Sequence, residues 1–294
     1  MTVINTNVSA TLASNAIARN ERAMGTAMER LSTGKRINSA SDDAAGLAIA
    51  SRMASQVKGL EQASRNANDA ISMIQTVEGA GKEILNILSR MKELAVQSRS
   101  ETYSDDDRTA LNEEYTQLRS EIERVQENTS WNGMALMDGD KAGADLATRD
   151  AAPDTKVTLN VQVGSGSNQI MAIEFKSWDL AGDDPNDVLG VDISGSTITN
   201  TGNANTALGA LDTAIQKASA ELATYGSYMN RLEYASDNLL NVAQNTDASR
   251  SRIEDADYAS ETSELAKTQI IAQAGTAMLA QANQIKQTVL ALLQ

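Results

Sequence analysis

Few side chains in this sequence could catalyse a reaction or hold a metal. The 294 residues include no cysteine and no histidine, which removes thiol catalysis, the usual zinc ligands and the commonest general base. The acidic run from Asp105 to Asp107 lacks the spacing of a helix-loop-helix calcium site, and a helix cap explains it better. Gly79 and Gly81 lack the remainder of a phosphate-binding loop. We therefore expect no enzymatic activity, no cofactor and no metal site.

Composition favours long helices over a large mixed core. Hydrophobic residues make up 41% of the chain but aromatics only 3%, with Phe175 as the one phenylalanine, so the core must come from Ala, Leu, Ile, Val and Met. The net charge of −14 argues against a nucleic-acid partner, which would require a basic patch. No apolar run approaches the roughly 20 residues of a membrane span. The first residues lack the pattern of a secretory signal, which taken alone favours a cytosolic protein.

The middle of the chain differs from both ends. Pro153 and Pro185 are the only two prolines, and residues 138–200 contain eleven acidic and four basic residues. The flanking segments are rich in Ala, Gln, Leu and Glu, which favour helix. We predict a mainly α fold, in which N- and C-terminal segments form a long antiparallel coiled coil or helical bundle around a small β-containing insert.

A seven-residue repeat supports this fold in the N-terminal half. Apolar or small residues recur every seven positions at Met53, Leu60, Ala67, Ile74, Gly81, Leu88 and Ala95. A repeat sustained over six heptads predicts a coiled-coil helix, although a bundle helix of a globular protein is the alternative. Gly81 should weaken the helix locally, by about 1 kcal/mol relative to Ala.

Further helices are predicted on either side of the insert. Ser104 and the acidic run after it predict the start of a helix that ends near Asn128, before a turn at Trp131–Gly133. A C-terminal helix should follow Leu208, with an interruption at residues 246–257. Within the insert, alternating apolar residues at 157–163 and a second run at 170–175 predict a β-hairpin. The insert is expected to be a small exposed β lobe, or else a flexible loop.

Both ends of the chain are amphipathic but only thinly apolar. The N-terminal pattern comprises Leu12, Ala16, Met24, Met28 and Leu31. The C-terminal stripe comprises Ile271, Ala274, Met278, Ala282, Ile285, Val289 and Leu292. Because an isolated helix with an unburied stripe is marginal in water, the two ends should pair with each other and with neighbouring copies of the chain.

Specific segments resemble the bacterial flagellins. The run ERLSTGKRINSASDDAAGLAIA from Glu29 to Ala50 is similar to the N-terminal signature of that family, as are the segments 62–80 and 91–98. The run from Arg250 to Gln284 is similar to its C-terminal signature. Together these regions extend over roughly two thirds of the chain, and the insert carries no such signature.

The resemblance implies a structural subunit that self-assembles into the flagellar filament used for motility. Residues 1–43 and 254–294 would pair as the inner tube, 44–139 and 206–253 would form the outer helical domain, and 140–205 would be a short variable region exposed outside. It also implies type III export without a cleaved signal, and hence an extracellular location. The implied partners are other copies of the chain, an export chaperone, and filament cap and hook-junction proteins.

The resemblance further implies contacts with innate immune receptors. The segment that contacts Toll-like receptor 5 in the family corresponds to Arg90, Glu93, Leu94 and Ala95, with Glu114 on the next helix. Met91 and Lys92 depart from the commoner Val-Arg. The C-terminal Val289, Leu290, Leu292 and Leu293 resemble the segment recognised by NAIP receptors and by the chaperone, although inner-tube packing would also explain these residues. Nucleic acids and membranes are not expected partners.

Three other functions are compatible with parts of the sequence. A cytosolic signalling coiled-coil hairpin of the chemoreceptor type also uses long heptads rich in Ala and Gln. A hook-filament junction protein has a related architecture but would match the terminal signatures less well. An enzyme within the insert is the third alternative.

Overall fold

The computed structural model describes residues 7–137, 156–180, 187–189 and 191–291, without the side chains of 156, 157 and 285–291. Five helices account for most of the described chain: α1 (Val8–Thr33), α2 (Ala44–Arg99), α3 (Asp105–Asn128), α4 (Thr201–Glu254) and α5 (Tyr258–Ala291). Four short strands lie between α3 and α4: β1 (Ser130–Trp131), β2 (Met134–Ala135), β3 (Lys156–Gln162) and β4 (Ile170–Lys176). The predicted mainly α class is confirmed.

One predicted boundary was wrong. The interruption expected at residues 246–257 is much shorter, because α4 continues to Glu254 and α5 begins at Tyr258. Arg250 pairs with Asp247 at 2.7 Å and with Glu254 at 3.8 Å. Pairs at three- and four-residue spacing stabilise a helix, and these keep this polar stretch helical.

The chain divides into two compact units. The terminal unit contains residues 1–57 and 243–294, and the central unit contains residues 58–242. Both boundaries fall inside long helices, α2 and α4, and the β-containing insert clusters with helices in the central unit.

The heptad repeat of α2 forms the core of the central unit. Its positions Ala67, Ile74, Leu88 and Ala95 are fully buried, and Leu60 is nearly so. Helix α4 runs antiparallel beside α2, because Ser64 bonds Ser236 (2.9 Å between hydroxyls) while Lys92, further along α2, pairs with Asp212, earlier in α4 (2.5 Å).

Gly81 has a packing role that its helix propensity does not reveal. A Cβ at this position would lie 2.9 Å from Cη2 of Trp178 and 3.0 Å from Cδ2 of Leu222. Trp178 is fully buried, so the glycine makes room for the indole between α2 and α4. Gly81 therefore lowers helix propensity, as expected, but it also permits a close contact with the indole that a larger residue would obstruct.

The start of α3 is fixed as the sequence predicts. Ser104 Oγ accepts a bond from the Asp107 N–H (3.2 Å), and the Asp107 carboxylate accepts one from the Ser104 N–H (3.0 Å), which completes a capping box. The buried Arg108 then donates to the carbonyls of Ser98 (2.6 Å) and Tyr103 (3.0 Å) and holds the α2–α3 connection.

Two antiparallel hairpins follow α3. Strands β1 and β2 are joined by Asn132 and Gly133, whose φ values of 49° and 81° are those of the tight turn that Asn-Gly favours. Strands β3 and β4 pair with Leu159 opposite Ile173, which confirms the hairpin predicted from the alternating residues.

The described part of the insert contributes to the core and does not form a separate lobe or loop. Eight of its apolar side chains are at most 3% exposed: Ile173, Phe175, Trp178, Leu180, Val188, Leu189, Ile193 and Ile198. Lys176 of β4 reaches the buried Glu221 of α4 at 2.8 Å. Helix α3 holds the segment before α4, since Asn112 Oδ1 accepts from the Ile198 N–H (2.9 Å) and Tyr115 bonds Ser196 (2.8 Å). The acidic, Gly-rich composition of the insert predicted an exposed segment, because it outweighed these few apolar residues.

Candidate assembly surface

Helices α1 and α5 pair antiparallel in the terminal unit. The Asn7 side-chain amide donates to the carbonyl of Ala282 (3.3 Å), and that of Asn20 donates to the carbonyl of Thr268 (2.7 Å). Nearer the other end, Arg30 pairs with Glu261 at 3.1 Å. The two ends of the chain therefore associate with each other, as their amphipathic character indicates.

Backbone hydrogen bonds close the pair where α1 ends. Gly34 adopts φ 72° and its N–H caps α1 by donating to the Arg30 carbonyl (2.9 Å). The Arg36 N–H donates to the Glu254 carbonyl (2.7 Å), and the Ala256 N–H donates to the Gly34 carbonyl (3.0 Å). We call residues 34–37 with 253–256 the junction.

The contact face between α1 and α5, called the seam below, consists mainly of small or polar residues. On α1 the less exposed positions are Ala10, Ala13, Ile17, Asn20, Met24 and Ala27. On α5 they are Leu265, Thr268, Ala272, Gly275, Leu279 and Ala282. Small residues let the two backbones approach, but they bury little apolar area.

Several large apolar side chains of α1 and α5 lie outside the seam, although the seam itself includes Ile17, Met24, Leu265 and Leu279. Six of those outside the seam are between 44% and 67% exposed: Val8, Leu12, Met28, Ile270, Ile271 and Met278. Within the N-terminal pattern predicted from the sequence, Met24 and Leu31 are partly buried, whereas Leu12, Ala16 and Met28 are exposed in the single chain. We call the exposed surface of α1 and α5 that carries these side chains the outward face.

Within the C-terminal stripe, the described side chains of Ile271, Ala274 and Met278 are exposed, and Ala282 lies in the seam. Ile271 is 44% exposed and Met278 is 65% exposed. Ile285 and Val289 belong to α5, but their side chains lie outside the described residues, as do Leu292 and Leu293 altogether.

The residues assigned to receptor contact occupy two environments. Arg90 donates to Glu114 at 2.9 Å and to Glu93 at 2.9 Å on the exposed surface of α2 and α3. These hydrogen bonds, that to Glu114 first, raise the pKa of Arg90. Leu94 and Ala95 are buried in the core of the central unit instead. The surface can therefore offer the charged trio, while Leu94 and Ala95 support it from below.

The described residues contain no cluster of three or more acidic side chains arranged to hold a metal ion. Desolvation is the main cause that raises the pKa of Tyr225 above its ordinary value; this ring packs against Phe175, with 5.8 Å between centroids. Among the helices described, none combines the length and apolar character needed to cross a membrane.

Large apolar side chains exposed on paired terminal helices are consistent with a protein that associates with other molecules. The model of the bacterial flagellin N-terminal helical region matches residues 4–142, and that of the bacterial flagellin C-terminal helical region matches residues 208–293. The chain belongs to the bacterial flagellin family, and it is a structural subunit of the flagellar filament.

Two relatives compared by sequence agree with this assignment. A flagellin from Halalkalibacterium halodurans is 42% identical over 292 residues, which cover 99% of this chain and 100% of the relative. The flagellar filament 33 kDa core protein of Treponema phagedenis is 40% identical, with 99% and 100% covered. The crystal structure of a Bacillus cereus flagellin aligns with a TM-score of 0.46 at 30% identity, over 60% of this chain and 88% of that one. The signalling hairpin is not favoured.

Several residues of the surface were not found from the sequence. Asn20 and Gly275 sit in the α1–α5 seam, where a search for large apolar residues passes over them. Spacing offers a signal in retrospect, because Ala13, Asn20 and Ala27 follow one another at seven-residue intervals.

Proposed function

We propose that the paired α1 and α5 form the inner tube of the filament and that the helices of the central unit surround them. The observation that carries this proposal is the set of large apolar side chains that α1 and α5 expose outside the seam in the single chain. Full burial of a Leu, Ile or Met side chain contributes about 1.5–3 kcal/mol. Contacts with neighbouring copies would bury the outward face at each of several such positions.

Deletion of Ser260–Gln294 tests this proposal. The measurement is elongation of filaments from added seeds. We expect elongation to be abolished, because the deletion removes most of α5 and its outward face. Both tryptophans, Trp131 and Trp178, lie in the central unit, so tryptophan fluorescence should show that this unit remains folded. Elongation by a truncated protein with native fluorescence would contradict the assignment of the ends.

We also propose that the exposed trio of Arg90, Glu93 and Glu114 contributes to recognition by Toll-like receptor 5. The resemblance supplies the partner, and the trio supplies charged groups held in place on a rigid pair of helices. Arg90→Ala should weaken receptor binding. A matched control is Arg124→Ala, since Arg124 is an exposed arginine of α3 that pairs with Glu121 at 2.5 Å. Equal binding by both variants would contradict a role for the trio.

The remaining partners rest on the resemblance. We infer that the chain acts without catalysis, is exported unfolded by the flagellar type III apparatus and reaches the cell exterior. Its C-terminal residues Val289, Leu290, Leu292 and Leu293 would engage the export chaperone and NAIP receptors before or outside assembly. Filament cap and hook-junction proteins would contact the same ends. A binding assay between the export chaperone and the Ser260–Gln294 deletion variant should show loss of binding. Unchanged binding would contradict this assignment.

A further inference from the structure

The seam between α1 and α5 raises a question of register. Alanine occurs repeatedly on both sides, at Ala10, Ala13 and Ala27 on α1 and at Ala272 and Ala282 on α5. Sliding one helix by a heptad would place small residues opposite small residues again, so alanine contacts alone favour no single alignment. A slip would also change which apolar side chains stand together on the outward face.

We propose that Asn20 and Gly275 set the register of α1 against α5, and with it the apolar surface that the terminal unit presents for assembly. The consequence for assembly rests on the proposed function above. The register itself is a property of the single chain and can be tested without filaments.

Gly275 acts through the space that it leaves. A Cβ added at Gly275 would lie 2.8 Å from Cγ1 of Ile17 and 3.4 Å from its Cδ1, and the first distance is shorter than real Cβ contacts. Gly275 is the one glycine in α5. A slip of seven residues would place Ile17 near Thr268 or Ala282, both of which carry a Cβ. Only the observed register accommodates the isoleucine.

Asn20 acts through a hydrogen bond. Its side-chain amide donates to the carbonyl of Thr268 at 2.7 Å, and Thr268 is only 2% exposed. A slip of seven residues would exchange this acceptor for the carbonyl of Glu261 or Gly275, at positions less buried than Thr268. A single asparagine on the apolar seam of paired helices can specify register in this way, at some cost in stability.

The junction cannot fix the register along the whole length of α1 and α5. Its bonds lie at one end, and Gly275 is 19 residues beyond Ala256, which corresponds to roughly 28 Å along a helix. A straight helix drifts by about 20° per heptad relative to a seven-residue repeat. A contact further along the pair is needed to keep the same faces together.

A disulfide assay tests the register in the full chain in dilute solution. The chain has no cysteine, so Ile17→Cys with Gly275→Cys gives one possible pair, whose Cβ atoms fall within disulfide reach in the observed register. We expect near-complete intramolecular cross-linking under mild oxidation. Adding Asn20→Leu should reduce the yield at least threefold, because Asn20 then no longer selects the register. The matched control adds Asn15→Leu, at an exposed position of α1, and should keep the full yield.

Either of two outcomes would overturn the proposal. Equal yields with Asn20→Leu and Asn15→Leu would show that another feature, such as the junction, sets the register. Because the parent pair replaces Ile17 and Gly275 themselves, its failure to cross-link would show that Asn20 does not hold the register.

Seeded elongation provides the second test. Gly275→Ala should slow elongation at least tenfold, and Ile17→Ala in the same chain should restore much of the rate by removing the clash. Gly25→Ala is the matched control, since nothing lies within 4 Å of a Cβ there, and it should elongate normally. If Gly275→Ala elongates like Gly25→Ala, glycine at 275 has no role in register.

The two assays separate the inference from the proposed function. Loss of elongation by the Ser260–Gln294 deletion, combined with equal disulfide yields, would uphold the inner tube and overturn the register role. The reverse combination would uphold the register and contradict the role of the ends in assembly.

Discussion

The two units of the chain distribute charge and apolar surface in opposite ways. The terminal unit contains ten basic and ten acidic residues, so it is neutral, whereas the central unit contains 15 basic and 29 acidic residues and carries the whole net charge of −14. The largest fully buried side chains, including Phe175, Trp178 and Tyr225, belong to the central unit, while the terminal unit exposes Leu12, Met28 and Met278. Neighbouring copies can therefore pack through their neutral terminal units. The charge remains on the central unit, where repulsion between molecules keeps a polymer soluble.

The comparison implies that substitutions in the central unit act on stability and that substitutions on the outward face of the terminal unit act on assembly. The expected loss in the free energy of unfolding is largest for Trp178→Ala and smallest for the double variant Ile271→Ser with Met278→Ser. Fluorescence of Trp131 and Trp178 during denaturation follows the central unit alone, since both lie there.

Trp178→Ala should have the largest effect on stability. The indole is fully buried against Gly81 and Tyr225, and deleting a buried aromatic side chain costs about 3–5 kcal/mol. Denaturation followed by Trp131 fluorescence measures the loss. The control Tyr234→Ala removes an aromatic side chain that is 76% exposed and should change stability by less than about 0.5 kcal/mol. Similar values for the two would contradict a core role for the insert.

Lys176→Met should have the next largest effect. It leaves the Glu221 carboxylate, whose side chain is 6% exposed, without its partner at 2.8 Å. We expect a loss of roughly 2 kcal/mol, below the range for fully buried pairs because Lys176 is partly exposed. Lys82→Met, which breaks an exposed pair with Glu78, is the control and should cost a few tenths of a kcal/mol at most. Equal losses would indicate that the Lys176 pair contributes no more than a surface pair.

Ser104→Ala should cost about 1 kcal/mol at neutral pH by removing the cap of α3. Hydrogen bonds from Ser104, side chain first and then backbone, lower the pKa of Asp107. Because the pKa of Asp107 is lower in the folded state, its contribution to stability is fully present above the unfolded-state pKa of about 4. This contribution is lost as the pH falls through the folded-state pKa. The difference between wild type and variant should therefore shrink between pH 5 and pH 2. A constant difference over that range would contradict the capping box.

Ile271→Ser with Met278→Ser should have the smallest effect on stability, below about 0.5 kcal/mol, because both side chains are exposed in the single chain. Seeded elongation should nevertheless fall more than tenfold. Gln273→Ser, at an exposed polar position of α5, should elongate normally. Normal elongation by the double variant would remove the functional distinction between the two units.

How much could be predicted from the sequence differed between the units. The heptads of α2, the Ser104 cap and the β3–β4 hairpin followed from local spacing and were confirmed, because each depends on residues close together in sequence. The buried insert was not predicted, since Trp178 stands between polar neighbours in an acidic stretch, and the space that receives its indole is left by Gly81, far away in sequence.

In the terminal unit, the sequence indicated which residues are apolar but not the partner that each one meets. Leu12 and Met28 were assigned to the same face as Met24, and the structure separates them. The intramolecular partner α5 lies far away in sequence, and the remaining partners are other molecules. The assignments of the tubes and of the receptor surface stay predictions for the same reason.

Methionine oxidation by dilute hydrogen peroxide, mapped by peptide mass spectrometry, tests the central claim most directly. Met28 and Met278 are 57% and 65% exposed, whereas Met73, Met91 and Met137 are at most 2% exposed, so one sample contains both the probes and their internal controls. In the monomer, Met28 and Met278 should oxidise quickly and the three buried methionines slowly. In filaments, Met28 and Met278 should be protected at least tenfold. Equal oxidation of Met28 and Met278 in monomer and filament would contradict the claim that assembly buries the outward face of the terminal unit.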